Sequence, residues 1–347
     1  MQAINTAILS FGMSGQVFHA PFIQLHQGFP FYAVWERSKN IAQEKYPHVK
    51  TCRRLEEILT DTEVELVIVN TPNYTHYEYA KKALQAGKHV IVEKPFVVTV
   101  AEGEDLVKLA KQNNLVLSVY QNRRFDSDYK IVKKVIDEGW LGDIVEAEFH
   151  FDRYKEELSP KMHKEVPGPG TGALYDLGSH IIDQALQLFG MPEAVFADIR
   201  IVRPVSKVDD YFELLLYYPQ LRVRLHCSYL VRENLHSYIL HGSKGSFLKH
   251  RTDVQEQDLQ AGKLPNTSEW GREPEGERGY LHTEKNGQVI KEYLISASGN
   301  YMAYFEGIYQ SIRNAAPLPV PVEDGLNVIR IIEASCQSNL NRSAVTI

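Results

Sequence analysis

Apolar residues in the first 120 positions fall into five short runs, most of them apolar at consecutive positions. Such runs predict strands of a parallel sheet that is covered on both faces. Helix-like stretches lie between them at Tyr74–Ala86 and Ala101–Gln112. This alternation predicts βαβ units, hence a Rossmann-type doubly wound parallel sheet over residues 1–122. The five runs are Ala3–Leu9, Phe31–Trp35, Val64–Val69, His89–Val92 and Val116–Tyr120.

The pattern changes after about residue 124. Strand-like runs now follow one another with few turn residues between them, which favours antiparallel pairing. We therefore predict an α/β protein whose C-terminal α+β domain, residues 123–347, is built on a largely antiparallel sheet. Helices are predicted at Gly172–Phe189 and near Tyr301–Asn314 and Glu323–Leu340, and Thr252–Gly279 is predicted to be a long surface excursion. The strand-like runs are Ile144–Phe151, Val195–Val202, Tyr211–Tyr218, Val223–Val231 and Ser237–His241.

Composition and charge narrow the function classes. The chain has 347 residues and a formal net charge of −6, which argues against a protein that binds nucleic acid through a basic face. Three cysteines are too few and too scattered for a disulfide framework or a zinc knuckle. The amino-terminal stretch has no basic start and no long apolar run, so neither a secretory signal nor a membrane span is expected. A reducing cytoplasm fits best.

A glycine-containing turn follows the first predicted strand. The segment Ser10-Phe11-Gly12-Met13-Ser14-Gly15 matches the Gly-x-Gly-x-x-Gly fingerprint except at Ser10, where the first glycine would stand. In that fingerprint the second glycine lets the backbone approach a pyrophosphate, and the third allows close packing of helix on strand. By itself the motif is equally compatible with a tight turn that binds no ligand.

An acidic residue at the end of the second strand strengthens the dinucleotide hypothesis. Glu36 lies 21 residues beyond Gly15, close to the ~20-residue spacing at which a carboxylate meets the adenine ribose. A carboxylate there favours NAD, whereas the adjacent Arg37 and Ser38 can bind a 2′-phosphate and favour NADP. The sequence leaves both cofactors open.

Polar residues also follow two later strands. Thr71-Pro72-Asn73 and His76 come after the strand that ends at Val69, and Glu93-Lys94-Pro95 ends the next strand. Ligands of open α/β sheets bind at the carboxyl ends of the strands. Lys94 is therefore positioned to reach a substrate beside the cofactor, although an exposed lysine before a turn would look the same.

The segment from Gly172 to Asp183 carries a second set of reactive side chains. Asp176 and His180 are four residues apart and so share one helix face, and Asp183 could orient the histidine. Such a pair suits acid–base chemistry, although an Asp–His pair on a helix surface has the same spacing. No second His or Cys lies at ligand spacing, so no metal site is expected.

Together these motifs resemble the glucose–fructose oxidoreductase, inositol dehydrogenase and rhizopine-catabolism (Gfo/Idh/MocA) family over nearly the whole chain. Phe18-His19-Ala20-Pro21 and Trp270-Gly271 resemble a subgroup that includes scyllo-inositol dehydrogenases. Ser10 departs from the family pattern, which has glycine at this position. The departure concerns the geometry of the turn, because serine adopts positive φ poorly.

The resemblance implies catalytic roles for Lys94, Asp176 and His180. We expect further substrate contacts from Arg124, Arg153 and Tyr154, which follow strands near the domain junction. NAD or NADP is expected as cofactor, and a homodimer or homotetramer is implied through the open face of the second sheet. The expected cofactor-binding residues are Gly12, Met13, Ser14, Gly15, Glu36, Arg37, Ser38, Thr71, Pro72, Asn73, His76, Glu93, Lys94 and Gln121.

The reaction implied by this resemblance is reversible hydride transfer between nicotinamide and a secondary alcohol of a cyclitol or sugar. His180 is the preferred proton acceptor because an imidazole titrates near neutral pH, with Lys94 stabilising the oxygen, although the two roles could be exchanged. The resemblance also leaves other functions open: a non-catalytic dinucleotide sensor, a glycosidase that uses bound NAD, and a bile-pigment or imine reductase.

Overall fold

The computed structural model describes residues 2–161 and 164–347, which form two compact units. The first unit comprises the chain up to Asn122 together with Gln255–Trp270 and Asn300–Leu326. The second comprises Arg123–Val254, Gly271–Gly299 and Asn327–Ile347.

The chain up to Asn122 builds a parallel sheet of six strands in the order β3-β2-β1-β4-β5-β6. The strand order reverses beside β1, as in doubly wound dinucleotide-binding folds. The elements are β1 (Thr6–Ile8), α1 (Ala20–Leu25), β2 (Phe31–Trp35), α2 (Ile41–Lys45), β3 (Lys50–Cys52), α3 (Leu55–Leu59), β4 (Leu66–Val69), α4 (His76–Gln85), β5 (His89–Glu93), α5 (Val100–Gln112) and β6 (Leu117–Tyr120).

Burial explains why consecutive apolar runs predicted this sheet. Every residue of β1, β4 and β6 is buried, as expected for strands covered on both faces. The prediction missed β3 and its flanking short helices α2 and α3. Strand β3 lies at the edge of the sheet, and its sequence Lys-Thr-Cys carries no apolar run.

The second unit is built on a sheet of nine strands among the described residues. The order is β14-β13-β12-β11-β7-β10-β9-β8-β15, and only the central pair β7 and β10 is parallel. The elements that follow β6 along the chain, which include α8 and α9 of the first unit, are α6 (Ser127–Asp137), β7 (Ile144–His150), α7 (Ser179–Phe189), β8 (Ala194–Arg200), β9 (Tyr211–Tyr217), β10 (Arg222–Ser228), β11 (Tyr238–Gly242), β12 (Gly245–Lys249), α8 (Gln255–Gln260), β13 (Gly279–Lys285), β14 (Gln288–Leu294), α9 (Met302–Asn314), α10 (Val322–Asn341) and β15 (Val345–Thr346).

The two faces of this sheet differ, as the alternating pattern predicts. On β10, Val223, Leu225 and Cys227 are fully buried, and α7 packs against this inner face. Arg222 and Arg224 point the other way and are exposed. The predicted mixed fold, a Rossmann unit and a unit on a largely antiparallel sheet, is therefore confirmed.

The later part of the chain departs from the predicted organisation. The prediction places one domain boundary after residue 122 and assigns all later residues to the second domain. In the structure, α8 and α9 belong to the first unit. The segment Thr252–Gly279 is likewise not simply a surface excursion, because Gln255 and Glu273 are buried within it. Hydrophobic spacing predicts that a helix forms but not which sheet it covers, which is why these returns were missed.

Two further expectations concern the whole chain. Cys52, Cys227 and Cys336 are all free thiols, in agreement with the absence of a disulfide framework. Within the described residues, every helix is too short or too polar to cross a bilayer.

Candidate functional site

A cleft of about 460 Å³ lies at the carboxyl ends of β1, β2 and β4 in the first unit. This is the point where the strand order reverses, which is where ligands of doubly wound sheets bind. Six of the predicted cofactor residues line it: Gly12, Glu36, Arg37, Ser38, Thr71 and Pro72. The other lining residues are Leu9, Ser10, Phe11, Gln16, Trp35, Lys39, Ile41, Tyr74, Thr75 and Tyr79.

The turn after β1 has the shape that the fingerprint requires. A Cβ atom at Gly15 would lie 2.3 Å from the Ser10 carbonyl oxygen, so only glycine permits this approach of helix and strand. Gly12 is exposed, and a Cβ there would meet only the Ser10 hydroxyl at 3.6 Å, which leaves open space on the cleft side. Ser10 itself does not adopt positive φ, so serine is compatible with the turn.

Buried amides that directly follow β4 and β6 fit a polar ligand. Asn70 donates a 2.8 Å hydrogen bond to the Ser10 carbonyl, while its Oδ1 is buried without a partner. Both side-chain polar atoms of Gln121 are also buried and lack a partner among the described residues. An unsatisfied buried amide costs about 1–3 kcal/mol, so these atoms and the glycine cradle suit a dinucleotide.

Glu36 is held by the helix that follows it. Its carboxylate accepts hydrogen bonds from the backbone N–H groups of Ile41 and Ala42, at 3.2 and 3.0 Å, and the residue is only 7% exposed. Arg53 donates to the carbonyl oxygens of Glu36 and Lys39, at 2.8 and 2.6 Å. The carboxylate therefore caps α2, and Arg53, which sequence reasoning did not single out, fixes the loop after β2.

Glu93 joins the turn after β1 to the end of β5. Its Oε1 accepts hydrogen bonds from the Ser14 hydroxyl and, at 2.8 Å, from His19 Nε2. Burial raises the pKa of Glu93, but the bonds from His19 and Ser14 and the charge of Lys94 outweigh it and lower the pKa to about 2. His19 belongs to the Phe18-His19-Ala20-Pro21 motif, and its role as the partner of Glu93 was not visible in the sequence.

Lys94 follows Glu93 directly and precedes Pro95 through a cis peptide bond. His76 is completely buried, and its two ring nitrogens lie 2.9 and 2.8 Å from the carbonyl oxygens of Pro95 and Thr71. Its side chain thus ties together the loops after β4 and β5 and does not line the cleft. Of the other predicted cofactor residues, Met13 is exposed, and Asn73 opens a short 3₁₀ turn, Asn73–Thr75.

In the second unit, the helix that carries Asp176 and His180 begins with a π-helical turn, Leu174–Gly178, and continues as α7. Asp209 Oδ2 accepts the Leu174 N–H at 2.8 Å, and Asp209 O accepts the Ala173 N–H at the same distance. Burial of the Asp209 carboxyl raises its pKa to about 6 despite these N–H donors. Sequence reasoning missed Asp209 because it lies 35 residues from the helix that it caps.

Asp176 is paired with a lysine from the preceding loop. Lys164 Nζ lies 2.7 and 2.8 Å from the two oxygens of Asp176. The neighbouring Glu165 is buried and bonds Arg203, whose guanidinium also donates to the carbonyl oxygen of Glu157. Arg203 thus anchors the loop that brings Lys164 to Asp176. Lys164 was not predicted as a site residue.

His180 lies in the first turn of α7 and is only 5% exposed. Its ring centroid lies 6.2 Å from that of Phe151, which three guanidinium groups surround. Those of Arg123, Arg153 and Arg251 lie 5.3, 5.4 and 4.2 Å from the Phe151 ring centroid. Phe151 is thus an aromatic neighbour of the imidazole and is itself in contact with three guanidinium groups.

The remaining predicted site residues of this unit have structural partners. Arg124 donates to both oxygens of Asp183, at 2.7 and 2.5 Å, and both residues are buried. Both oxygens of Asp183 accept from Arg124, and this pair fastens α7. Tyr154 is 39% exposed, and the guanidinium of Arg232 lies 3.9 Å from its ring centroid.

Comparisons with known proteins agree with this architecture. Residues 4–121 match the family model described as "Oxidoreductase family, NAD-binding Rossmann fold". Residues 133–347 match "Oxidoreductase family, C-terminal alpha/beta domain" of the same family. The matching family binds NAD or NADP through its Rossmann domain, so the expected cofactor class is confirmed.

Three proteins illustrate the likeness. The NADP(+)-dependent scyllo-inositol 2-dehydrogenase IolW of Bacillus subtilis is 40% identical over all of this chain and 97% of its own length. A crystal structure from Bacteroides fragilis, assigned only provisionally as an oxidoreductase, is 46% identical, with a TM-score of 0.91 and full coverage of both chains. A levoglucosan dehydrogenase in complex with NADH and levoglucosan shares the fold alone, at 19% identity, a TM-score of 0.82 and full coverage of both chains. The chain is an oxidoreductase that belongs to the Gfo/Idh/MocA family.

Proposed function

We propose that this oxidoreductase is a dehydrogenase that transfers a hydride reversibly between NADP and a secondary alcohol of a cyclitol or sugar, with scyllo-inositol as the leading candidate. The observation that carries the proposal is the full-length 40% identity to a scyllo-inositol 2-dehydrogenase. The presence of Lys94, Asp176 and His180 in this chain supports it, because these side chains provide the acid–base chemistry that alcohol oxidation requires.

His180 and Lys94 have different roles in the proposed reaction. A nicotinamide held by this domain would supply the acceptor for the hydride of the carbinol carbon. His180 accepts the hydroxyl proton, because imidazole is the side chain whose ordinary pKa lies closest to neutral pH. Lys94 donates a hydrogen bond to the same oxygen and stabilises its developing negative charge.

Asp176 binds a neighbouring hydroxyl of the substrate. Its carboxylate accepts from Lys164 and is a quarter exposed, so it keeps acceptor capacity for a polyol. The pair with Lys164 orients the carboxylate. Gly12 and the helix that follows it hold the pyrophosphate, and the loop after β2 holds the adenosine ribose.

The loop after β2 favours NADP over NAD. The Glu36 carboxylate, which would otherwise bind the ribose hydroxyls and repel a phosphate, is engaged by two backbone N–H groups of α2. Arg37, Ser38 and Lys39 are exposed and line the same cleft. Two cationic side chains and a hydroxyl suit the 2′-phosphate that distinguishes NADP.

The first experiment tests the reaction. The purified full chain is assayed with a panel of cyclitols and aldoses, with NADP and NAD separately, by the absorbance of the reduced cofactor. We expect turnover of scyllo-inositol or a related cyclitol with NADP. In Lys94→Ala and His180→Ala, kcat should fall ~100-fold or more, while NADP binding measured by fluorescence stays near the wild-type value.

A matched control is Lys88→Ala, a lysine that bonds the Asp61 carbonyl oxygen at the other end of β5 and that has no proposed catalytic role. Full activity in both site variants would refute the assigned chemistry. Cofactor binding without turnover of any alcohol in the panel would favour a sensor, and sugar release without net reduced cofactor would favour a glycosidase.

The second experiment tests cofactor choice. Arg37→Ala should lower kcat/KM for NADP ~10-fold to 100-fold, because it removes one charge-assisted contact to the phosphate, and should change kcat/KM for NAD by less than about threefold. Arg54→Ala, an exposed arginine paired with Glu57, is the control. An equal effect of Arg37→Ala on both cofactors would contradict the proposed role of this loop.

A further inference from the structure

The outer face of the second unit's sheet carries a cluster of imidazole and carboxylate groups that the proposed reaction does not use. His150 ends β7, Asp152 follows two residues later, and His226 lies opposite His150 on the parallel neighbour β10. Glu148 points from β7 to the same side. Their side chains are well shielded: Asp152 is 4%, His150 7% and His226 19% exposed.

The two imidazoles converge on one carboxylate. His226 Nδ1 lies 2.8 Å from Asp152 Oδ1, and His150 Nδ1 lies 3.2 Å from Asp152 Oδ2. One ligand atom from each of the three residues lies within 4.8 Å of the other two. The Ser228 N–H also donates to Asp152, at 2.9 Å, and so fixes the carboxylate in place.

The outer nitrogen of His150 has its own acceptor. Nε2 lies 2.9 Å from Glu148 Oε2, and Arg224 donates to the other oxygen of Glu148 at 3.1 Å. A neutral His150 that donates Nε2–H to Glu148 presents a lone pair at Nδ1, and this lone pair faces a carboxylate oxygen of Asp152. That arrangement is favourable only when a cation lies between them, either a second ring proton or a metal ion.

We propose that His150, Asp152 and His226 form a binding site for a divalent transition-metal ion of the Zn²⁺ type, with Glu148 as the positioning residue for His150. Two imidazoles and one carboxylate are a donor set that Zn²⁺ and Co²⁺ accept, with metal–ligand bonds of about 2.0–2.2 Å. The carboxylate–histidine–metal arrangement is the usual way in which a ligating ring is oriented.

None of the three ligands is a proposed catalytic residue, and all three belong to one chain. The partial exposure of His226 leaves an approach for the ion and for a water molecule as fourth ligand. Sequence spacing could not reveal it, because His226 lies 74 residues beyond Asp152 and only the pairing of β7 with β10 brings them together.

The test is a metal titration of the full chain without an affinity tag, freed of metal by a chelator. Co²⁺ is added and its visible absorption bands are followed, and Zn²⁺ is then added in competition. We expect one equivalent of Co²⁺ to bind with micromolar or tighter affinity and to be displaced by Zn²⁺. His226→Ala and Asp152→Asn should each weaken binding ~100-fold or more, and Glu148→Gln ~10-fold.

Two controls use histidines outside the cluster. His282 is exposed on β13 of the same sheet, and His236 stacks on His250 with ring centroids 4.2 Å apart. His282→Ala and His236→Ala should both bind Co²⁺ as the wild type does. Far-UV circular dichroism and thermal unfolding without metal verify that each variant is folded, and Asp152→Asn and Glu148→Gln preserve side-chain size.

Three results would overturn the proposal. No binding of Co²⁺ or Zn²⁺ by the folded wild type would show that a second proton on His150 is what joins it to Asp152. Wild-type affinity in folded His226→Ala, or loss of binding in His236→Ala, would place the metal elsewhere. Because these readouts do not involve turnover, they are independent of the proposed dehydrogenase reaction.

Discussion

Two buried carboxylates, one in each unit, show opposite responses to burial. Glu93 in the first unit ties the end of β5 to the turn after β1, and its pKa is lowered to about 2. Asp209 in the second unit caps the helical turn that carries Asp176, and its pKa is raised to about 6. Both support a segment that bears a proposed site residue, yet one is held charged and the other is driven toward its neutral form.

The difference lies in their partners. Burial disfavours the charged form of both carboxylates. Glu93 accepts from the His19 imidazole and the Ser14 hydroxyl and lies beside Lys94, whereas Asp209 accepts from backbone N–H groups and has the acidic Asp210 as its neighbour. The charge of the neighbouring groups, more than the depth of burial, therefore decides in which direction the pKa of a buried carboxyl is shifted.

The largest expected effect comes from the glycine against which Asp209 packs. Gly172 has φ of +97°, and a Cβ there would lie 1.8 Å from Asp209 Oδ1. Gly172→Ala should lower the free energy of unfolding by about 4 kcal/mol or more, since positive φ and overpacking each cost about 1–3 kcal/mol. Urea denaturation measures this loss.

Gly87→Ala is the matched control, because Gly87 has φ of +74° but a Cβ there would meet no atom within 4 Å. It should cost only about 1 kcal/mol. Equal losses in the two variants would show that the Asp209 carboxylate does not press on Gly172.

Glu93→Gln should lower the free energy of unfolding at pH 7 by about 3–4 kcal/mol, as estimated from a pKa that falls from 4.5 to about 2. Because the folded pKa is depressed, this stability is present above about pH 4.5 and is lost as the pH falls toward about 2. Urea titrations at several pH values should show this loss in the wild type and not in the variant.

Glu56→Gln, at an exposed position in α3, serves as the control for Glu93 and should follow the wild-type pH profile. A pH dependence that is unchanged in Glu93→Gln would mean that His19 and Ser14 do not stabilise the charged form of Glu93.

Asp209→Asn tests a pH dependence of stability that has the opposite sign to that of Glu93. Because the folded pKa is raised from 3.8 to about 6, the wild type should lose about 3 kcal/mol of stability as the pH rises from about 4 through 6. The variant has no group to ionise and should lack this loss, so it should gain on the wild type over that interval. Urea denaturation at pH 4 and pH 8 provides the measurement.

If the wild type instead became more stable relative to Asp209→Asn as the pH rises, the pKa of Asp209 would be lowered by folding, as that of Glu93 is. In that case the backbone N–H groups of Ala173 and Leu174 would stabilise the charged carboxylate more than burial disfavours it.

The smallest effect is expected at Asp176, whose carboxylate is partly exposed. Lys164 is 39% and Asp176 25% exposed, so water competes with their ion pair. Lys164→Met should change the free energy of unfolding by less than about 1 kcal/mol, measured by urea denaturation at low and at high salt. A loss comparable to that of Glu93→Gln would show that solvent exposure does not distinguish these carboxylates.

Much of the architecture could be predicted from local pattern. Consecutive apolar residues in Leu66–Val69 predicted a doubly covered parallel strand, and alternation in Val223–Cys227 predicted a strand with one buried face. The glycine turn at Gly12–Gly15 and the position of Lys94 after β5 were also readable, because each depends on residues adjacent in the chain. Family resemblance then gave the fold and the cofactor class.

The contacts that hold the site residues in place could not be predicted from local pattern. Glu93 meets His19 across 74 residues, Asp209 meets Leu174 across 35, and the return of α8 and α9 to the first unit has no local signature. The bonds that the Glu36 carboxylate accepts from the backbone N–H groups of Ile41 and Ala42 also have no signal in the sequence. These arrangements depend on which surfaces pack together, and hydrophobic periodicity specifies that a face is buried without specifying its partner.

The sequence by itself therefore determined the two kinds of sheet, the glycine-containing turn after β1 and the positions of Lys94, Asp176 and His180 along the chain, because backbone conformation and burial follow from residues near one another in the chain. Only the tertiary structure decided the partners of those side chains, and with them the ionisation of Glu93 and Asp209 and the grouping of His150, Asp152 and His226. The physical reason is that the pKa of a buried group depends on the charges and donors within a few ångströms of it, whatever their distance along the chain.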